Sequence, residues 1–145
     1  ALMQNKTPIL GVIYDFNHDD LYYGHQQSKA FVNQKEIMVS DYSEKSQSTL
    51  VTGIPAKTNY SDDEFKNMID DFQHWKKVRM IGSAAMAAIY VAAGKAETYK
   101  ENGIFLWDIA AGAAIVNAAG GVASITNIQA DHRVDAKFTN QHLAF

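Results

Sequence analysis

Trp107-Asp108-Ile109-Ala110-Ala111-Gly112-Ala113-Ala114-Ile115-Val116-Asn117-Ala118-Ala119-Gly120-Gly121 sets one carboxylate at the mouth of a run of small and aliphatic residues that ends in a glycine pair. The pattern reads as a helix of about three turns, opening at Asp108 and stopping at Gly120, where a left-handed residue costs little. The small residues Ala110, Ala111, Gly112, Ala113 and Ala114 allow a second backbone, or a ligand, to approach its first turns closely. A helix N-terminus carries unpaired N–H groups and partial positive charge, which favour anions such as phosphate. Asp108 stands there to cap the helix, to hold a divalent cation, or to do both.

Outward from this helix the chain alternates strands and helices from about residue 45 onward. Leu50–Ile54 reads as a short buried strand before the Pro55 loop. Ser61-Asp62-Asp63-Glu64 is a capping box, in which Ser and Glu each satisfy an orphan amide. Phe65, Met68, Ile69, Phe72 and Trp75 follow at helical spacing, predicting a core-facing stripe on a helix that ends near Lys76-Lys77. Val78–Ile81 reads as a strand, Ala84–Ala93 as a helix and Ala96–Tyr99 as a strand, with further strands at Gly121–Ile125 and Gln141–Phe145. Such alternation implies an α/β fold with a mixed sheet covered by helices on both faces. Before residue 43 the signals are purely β. Ile9–Tyr14 and Leu21–Tyr23 form a hairpin around Asn17-His18-Asp19-Asp20, and Ala30–Val32 and Glu36–Val39 flank Asn33. Residues 1–42 are therefore assigned to antiparallel strands and 43–145 to an α/β unit, joined by the polar stretch 41–48.

Three segments resemble the inositol monophosphatase family. Trp107-Asp108-Ile109-Ala110-Ala111-Gly112 with Ala118-Ala119-Gly120-Gly121 resembles its C-terminal signature. Arg79-Met80-Ile81-Gly82-Ser83-Ala84-Ala85 is similar to its R-x-x-G-[ST]-A-A segment, and Lys95–Glu101 to its G-x-x-D-A-Y-x-E strand, with Glu97 where Asp is usual. The resemblance is strong over residues 78–121, weaker back to residue 1, and fades after Gly121. It implies a Mg²⁺-dependent, lithium-sensitive phosphatase fold in which residues 1–42 complete the antiparallel sheet of an N-terminal half. Only two prolines occur, Pro8 and Pro55, so the family's D-P-[IL]-D-G-T metal motif is absent, as is its Glu-Glu segment. The chain is expected to be a C-terminal fragment that does not hydrolyse phosphate alone.

Composition narrows the remaining classes. With 145 residues, 47% of them apolar, the chain can bury a core. The absence of cysteine excludes disulfides, thiolate metal sites and a thiol nucleophile. A net charge of −3 with interspersed signs argues against nucleic acid, and no apolar run or leader pattern suggests a membrane or secretion, so a cytoplasmic protein is expected. No phosphate-binding glycine loop of the nucleotide-binding type occurs. The five histidines show no metal-ligand spacing, and Asp19-Asp20, Asp62-Asp63 and Asp70-Asp71 read as solvated charge.

Each remaining candidate has an ordinary reading beside the one that the resemblance implies. Ser83, in the Gly82-Ser83-Ala84 turn, is by pattern an N-cap, and the resemblance lays this backbone beside a substrate ring. Glu101 precedes Asn102-Gly103 and reads as a solvated loop carboxylate, whereas the resemblance makes it an acceptor for ring hydroxyls. By the same resemblance Asp108 is one ligand of a Mg²⁺ ion, no catalytic residue lies in the fragment, and the protein is a homodimer acting on an inositol phosphate or related small phosphate ester. A sugar bisphosphate or 3′-phosphonucleotide substrate, or a non-catalytic module that binds phosphorylated ligands, stand as alternatives. Arg79 reads either as support for the substrate loop or as a surface residue on an edge, and Trp107 as packing rather than recognition.

Overall fold

A computed structural model describes residues 1–56 and 59–143. Five strands form an antiparallel meander in sequence order: β1 (Leu2–Gln4), β2 (Thr7–Asp15), β3 (Asp20–His25), β4 (Ala30–Val32) and β5 (Lys35–Ile37). The β2–β3 hairpin closes at Asp15↔Asp20. Buried Asp15 holds its loop, accepting the Asn17 amide at 3.1 Å and pairing with His18 Nδ1 at 2.7 Å. Asn33 and Gln34 link β4 to β5 with φ of 45° and 72°, a two-residue turn whose twist matches that of the strands.

After a 3-10 turn at Lys45–Gln47 the second unit follows: β6 (Thr49–Thr52), α1 (Asp62–Phe72), β7 (Lys77–Met80), α2 (Ala84–Ala92), β8 (Thr98–Phe105), α3 (Leu106–Ala118), β9 (Val122–Thr126) and β10 (Arg133–Thr139). Its sheet runs β7-β6-β8-β10-β9. β6 is parallel to β7 and β8, while β10 is antiparallel to β8 and β9, so the sheet is mixed, as expected.

α2 and α3 form the layer between the two sheets. One apolar cluster runs from Tyr22 and Ala30 of the first sheet through Ile89, Val91, Ile109 and Ile115 to Val51, Tyr99 and Phe138 of the second. The small residues of α3 serve this packing. A Cβ on Gly112 would collide with the Ala88 side chain of α2, and one on Gly11 of β2 would strike the Ala111 carbonyl. The close approach that the sequence offers is thus taken up by neighbouring backbone. β6 alternates between the two faces of its sheet: Val51 joins the main cluster, while Leu50 packs with Trp75 and Leu143 in a second one.

Several boundaries differ from the sequence reading. α1 begins at the expected capping box, in which Ser61 Oγ accepts the Glu64 amide and Glu64 Oε2 accepts the Ser61 amide at 2.8 Å. It ends at Phe72 and buries no residue fully, with Phe65 41% and Ile69 50% exposed. Its stripe is therefore only partly core: Phe72 packs, half-buried, against Leu50, Trp75 and Leu143, and Trp75, beyond the helix, is the buried member. The strand expected to end at Tyr99 continues to Phe105, because Asn102 and Gly103 sit at a register shift against β10 rather than in a turn. The last strand ends at Thr139, and Gln141, with φ 62°, leaves the extended path. Residues 144 and 145 of the expected Gln141–Phe145 strand lie outside the described residues. Asp71 is not merely solvated: it pairs with Lys45 at 3.1 Å and Lys100 at 3.6 Å. Among the described residues no helix is long and apolar enough to cross a membrane.

Candidate functional site

The carboxyl ends of β6 and β7 and the amino ends of α2 and α3 meet around one open cavity of about 710 Å³. In open α/β sheets this end collects ligands, because loops and helix N-termini converge there. Gly82, Ser83, Ala84, Glu101 and Asp108, the five residues singled out from the sequence, all line it, together with Gly53 and Trp107.

The wall from α2 is built by backbone economy. Gly82 has φ 76°, a conformation that side-chain-bearing residues rarely adopt, and it turns the chain from β7 into the helix. Ser83 is the N-cap, its oxygen accepting the Met86 amide at 3.3 Å. Ser83 and Gly82 remain exposed to the cavity.

Asp108 lies one turn into α3 and does not cap it. The N-cap is Phe105, whose side chain makes no capping bond, so the sequence expectation of a helix opening at Asp108 is off by two residues. The carboxylate is exposed at the cavity, in a first turn whose dipole favours negative charge. As a hard oxygen donor it fits Mg²⁺, which binds through one or two carboxylates with water and phosphate completing the shell. No group of three or more His, Asp or Glu is gathered to hold a metal among the described residues.

Glu101 is the most altered by the fold. It is not a solvated loop residue but sits in β8, 8% exposed, its Oε2 accepting the buried Tyr99 hydroxyl at 2.9 Å. Burial pushes its carboxyl above the ordinary glutamate range; Tyr99 partly opposes this, and the nearby Asp108 charge adds to it. The same environment, burial first and the Glu101 charge next, keeps the Tyr99 hydroxyl protonated. The carboxylate rests on Gly53, where an added Cβ would come within 2.5 Å of Oε2.

Trp107 is 62% exposed, so its packing is confined to ring contacts at the surface. It stacks on Phe105 at 4.6 Å, with Arg133 over the Phe105 ring at 4.5 Å, which leaves a fixed indole at the cavity rim. Arg79 is exposed on β7, its guanidinium donating to the Val78 carbonyl at 3.0 Å. The sequence reading missed Tyr99 and Gly53. The signal for Tyr99 was its i, i+2 spacing from Glu101, which puts both on one face once the strand is extended through Glu101.

Comparison with known proteins agrees with this architecture. The profile of the inositol monophosphatase family matches residues 1–141. A protein named Nus factor SuhB from Xylella fastidiosa is 33% identical over 122 residues, covering 83% of this chain and 44% of the relative. An inositol-1-monophosphatase from Synechocystis is 33% identical over 131 residues, 86% of this chain and 44% of the relative. The solved inositol monophosphatase from Anabaena superposes with a TM-score of 0.82 at 36% identity, covering 96% of this chain and 58% of that one. The chain spans a little under half the length of the curated relatives it matches.

Proposed function

The chain belongs to the inositol monophosphatase family, and on that premise we propose that it is the ligand-recognising portion of an enzyme that hydrolyses a small phosphate monoester, an inositol phosphate or a related sugar phosphate. The observation that carries the reading is the convergence of Ser83, Glu101 and Asp108 on one cavity from three separate elements. The α2 and α3 N-termini favour the phosphate, and the Gly82–Ala84 turn lets its ester group approach the backbone. Glu101 accepts a ring hydroxyl. Asp108 would supply one oxygen to a Mg²⁺ ion, which when bound would neutralise phosphate charge. On this reading the site in this chain is partial, and the chain recognises its ligand but does not turn it over by itself.

The exposed Trp107 favours a second reading within the same family, a 3′-phosphonucleotide whose planar base lies on the indole. A cytoplasmic homodimer that binds no nucleic acid belongs to the first reading. Association is supported by the open face of the first sheet, where Leu2, Leu10, Val12 and Tyr14 are exposed.

Titration of the chain with inositol 1-phosphate and Mg²⁺, followed by backbone amide NMR, tests the proposal. Saturable shifts at residues 82–86, 101 and 108 are expected. Shifts confined to other surfaces, or none, overturn it, and steady phosphate release by the chain overturns the partial-site element.

A further inference from the structure

Glu101 presents its two oxygens to different surroundings. Oε2 takes the hydrogen bond from Tyr99, whose ring is buried between β8 and the helix layer and packs against Phe138 at 5.4 Å. Oε1 accepts no hydrogen bond among the described residues, and Glu101 lines the cavity. Gly53 on β6's exit loop sits under the carboxyl group, with an added Cβ falling 2.8 Å from Cδ and 2.9 Å from Oε1. A Tyr two residues away on the same strand face and a residue without a side chain on the neighbouring loop thus hold the carboxylate from two sides.

We infer that Tyr99 is a positioning residue that, with Gly53 as its seat, fixes the Glu101 carboxylate so that Oε1 alone serves as the acceptor for a ligand hydroxyl. The inference rests on the proposed reading of the cavity as a polyol-phosphate site and adds to it how the acceptor is held. Tyr99 touches no ligand. Its hydroxyl saturates one oxygen and stabilises the charged carboxylate, the better acceptor. A carboxylate free to rotate loses entropy on binding, and one that keeps its proton offers an O–H where the ligand also brings a donor.

Two measurements on the chain with Tyr99→Phe test this, since phenylalanine keeps the buried ring and removes only the hydroxyl. The first, without ligand, follows the ¹³C carboxyl signal of Glu101 with pH. The Glu101 pKa is expected to rise in Tyr99→Phe and to stay at the wild-type value in Phe138→Leu, which loosens the same packing without removing a donor; an unchanged titration in Tyr99→Phe overturns the inference. The second is a double-mutant cycle for inositol 1-phosphate binding. Tyr99→Phe and Glu101→Gln are each expected to weaken binding about tenfold, and the double variant no more than Glu101→Gln alone. Independent, multiplying losses overturn the inference while leaving the polyol reading intact. Absence of binding by the wild-type chain overturns the polyol reading, and the Glu101 titration still decides the Tyr99 contact.

Discussion

Glu97 Oε2 accepts the backbone amide of Thr49 at 2.6 Å, joining two residues 48 positions apart at the start of β6. Its Oε1 accepts the Ser40 hydroxyl at 3.0 Å, and its own carbonyl accepts the Asn140 amide. Asn140, fully buried, donates in turn to Ser40 Oγ and to the Tyr42 carbonyl. One buried residue therefore ties three segments together: its carboxylate holds the linker between the sheets and the first strand of the mixed sheet, and its carbonyl holds the end of the last strand.

Glu97→Leu is expected to destabilise the chain by about 2–4 kcal/mol, because the Thr49 amide and Ser40 hydroxyl lose a charged acceptor in a dry site. Glu97→Gln, which keeps one carbonyl acceptor, should lose less. Urea unfolding of the two variants checks the order; equal stability of Glu97→Leu and wild type contradicts it.

Gly112 and Ala88 set the α2–α3 spacing. Gly112→Ala should cost about 1–3 kcal/mol through overpacking. Adding Ala88→Gly should recover part of that loss, since it removes the colliding atom. Thermal unfolding of the single and double variants reads the coupling, and a double variant less stable than either single one speaks against a direct contact.

Asp108→Asn should leave unfolding within about 1 kcal/mol of wild type, because Asp108 makes no cap and contributes only its interaction with the helix dipole. Mg²⁺-promoted binding of inositol 1-phosphate should weaken at least about tenfold as the anionic oxygen is lost. Asp62→Asn, at the start of α1, is the matched control and should bind as wild type. Equal binding by the two variants removes the metal-ligand role from Asp108.

Glu101 has a raised carboxyl pKa, so the folded chain holds this proton more tightly than the unfolded one. Stability then falls as pH rises from the ordinary glutamate value of 4.5 through the raised folded value. Glu101→Gln, neutral throughout, should be more stable than wild type at pH 7, with the gap closing below the ordinary glutamate value. Denaturant midpoints at several pH values measure it, and a wild type more stable than the variant at pH 7 reverses the sign and refutes the argument. A site residue that costs stability is the pattern expected where a carboxylate is kept buried for recognition.

The alternation of strands and helices, the capping box at Ser61 and the Gly120 stop, with φ 88°, were legible because each depends on neighbours within a few residues. So was the Gly82-Ser83-Ala84 turn, whose dihedral and cap are local. The extent of β8 was not. Asn102-Gly103 has the composition of a turn, and only pairing with β10, some thirty residues later, keeps it in the sheet. The α1 stripe was legible only at its end, where Phe72 and Trp75 meet Leu50: helical period reports which face is apolar, and nothing in the period says how much of it a partner covers.

Local spacing was enough for the α/β class and for most strands and helices, because periodicity, caps and turn residues act within a few positions, whereas Glu101 was singled out by the family resemblance and the strand Arg133–Thr139 went unread. Tertiary structure alone decided what those residues experience. Packing of Tyr99 and Gly53 against Glu101 turned an apparent loop carboxylate into a buried, oriented one. Stacking on Phe105 holds Trp107 at the rim, and the α3 start at Leu106 moved Asp108 from cap to cavity wall. Burial, orientation and charge environment come from contacts between elements distant along the chain, and no local pattern encodes them.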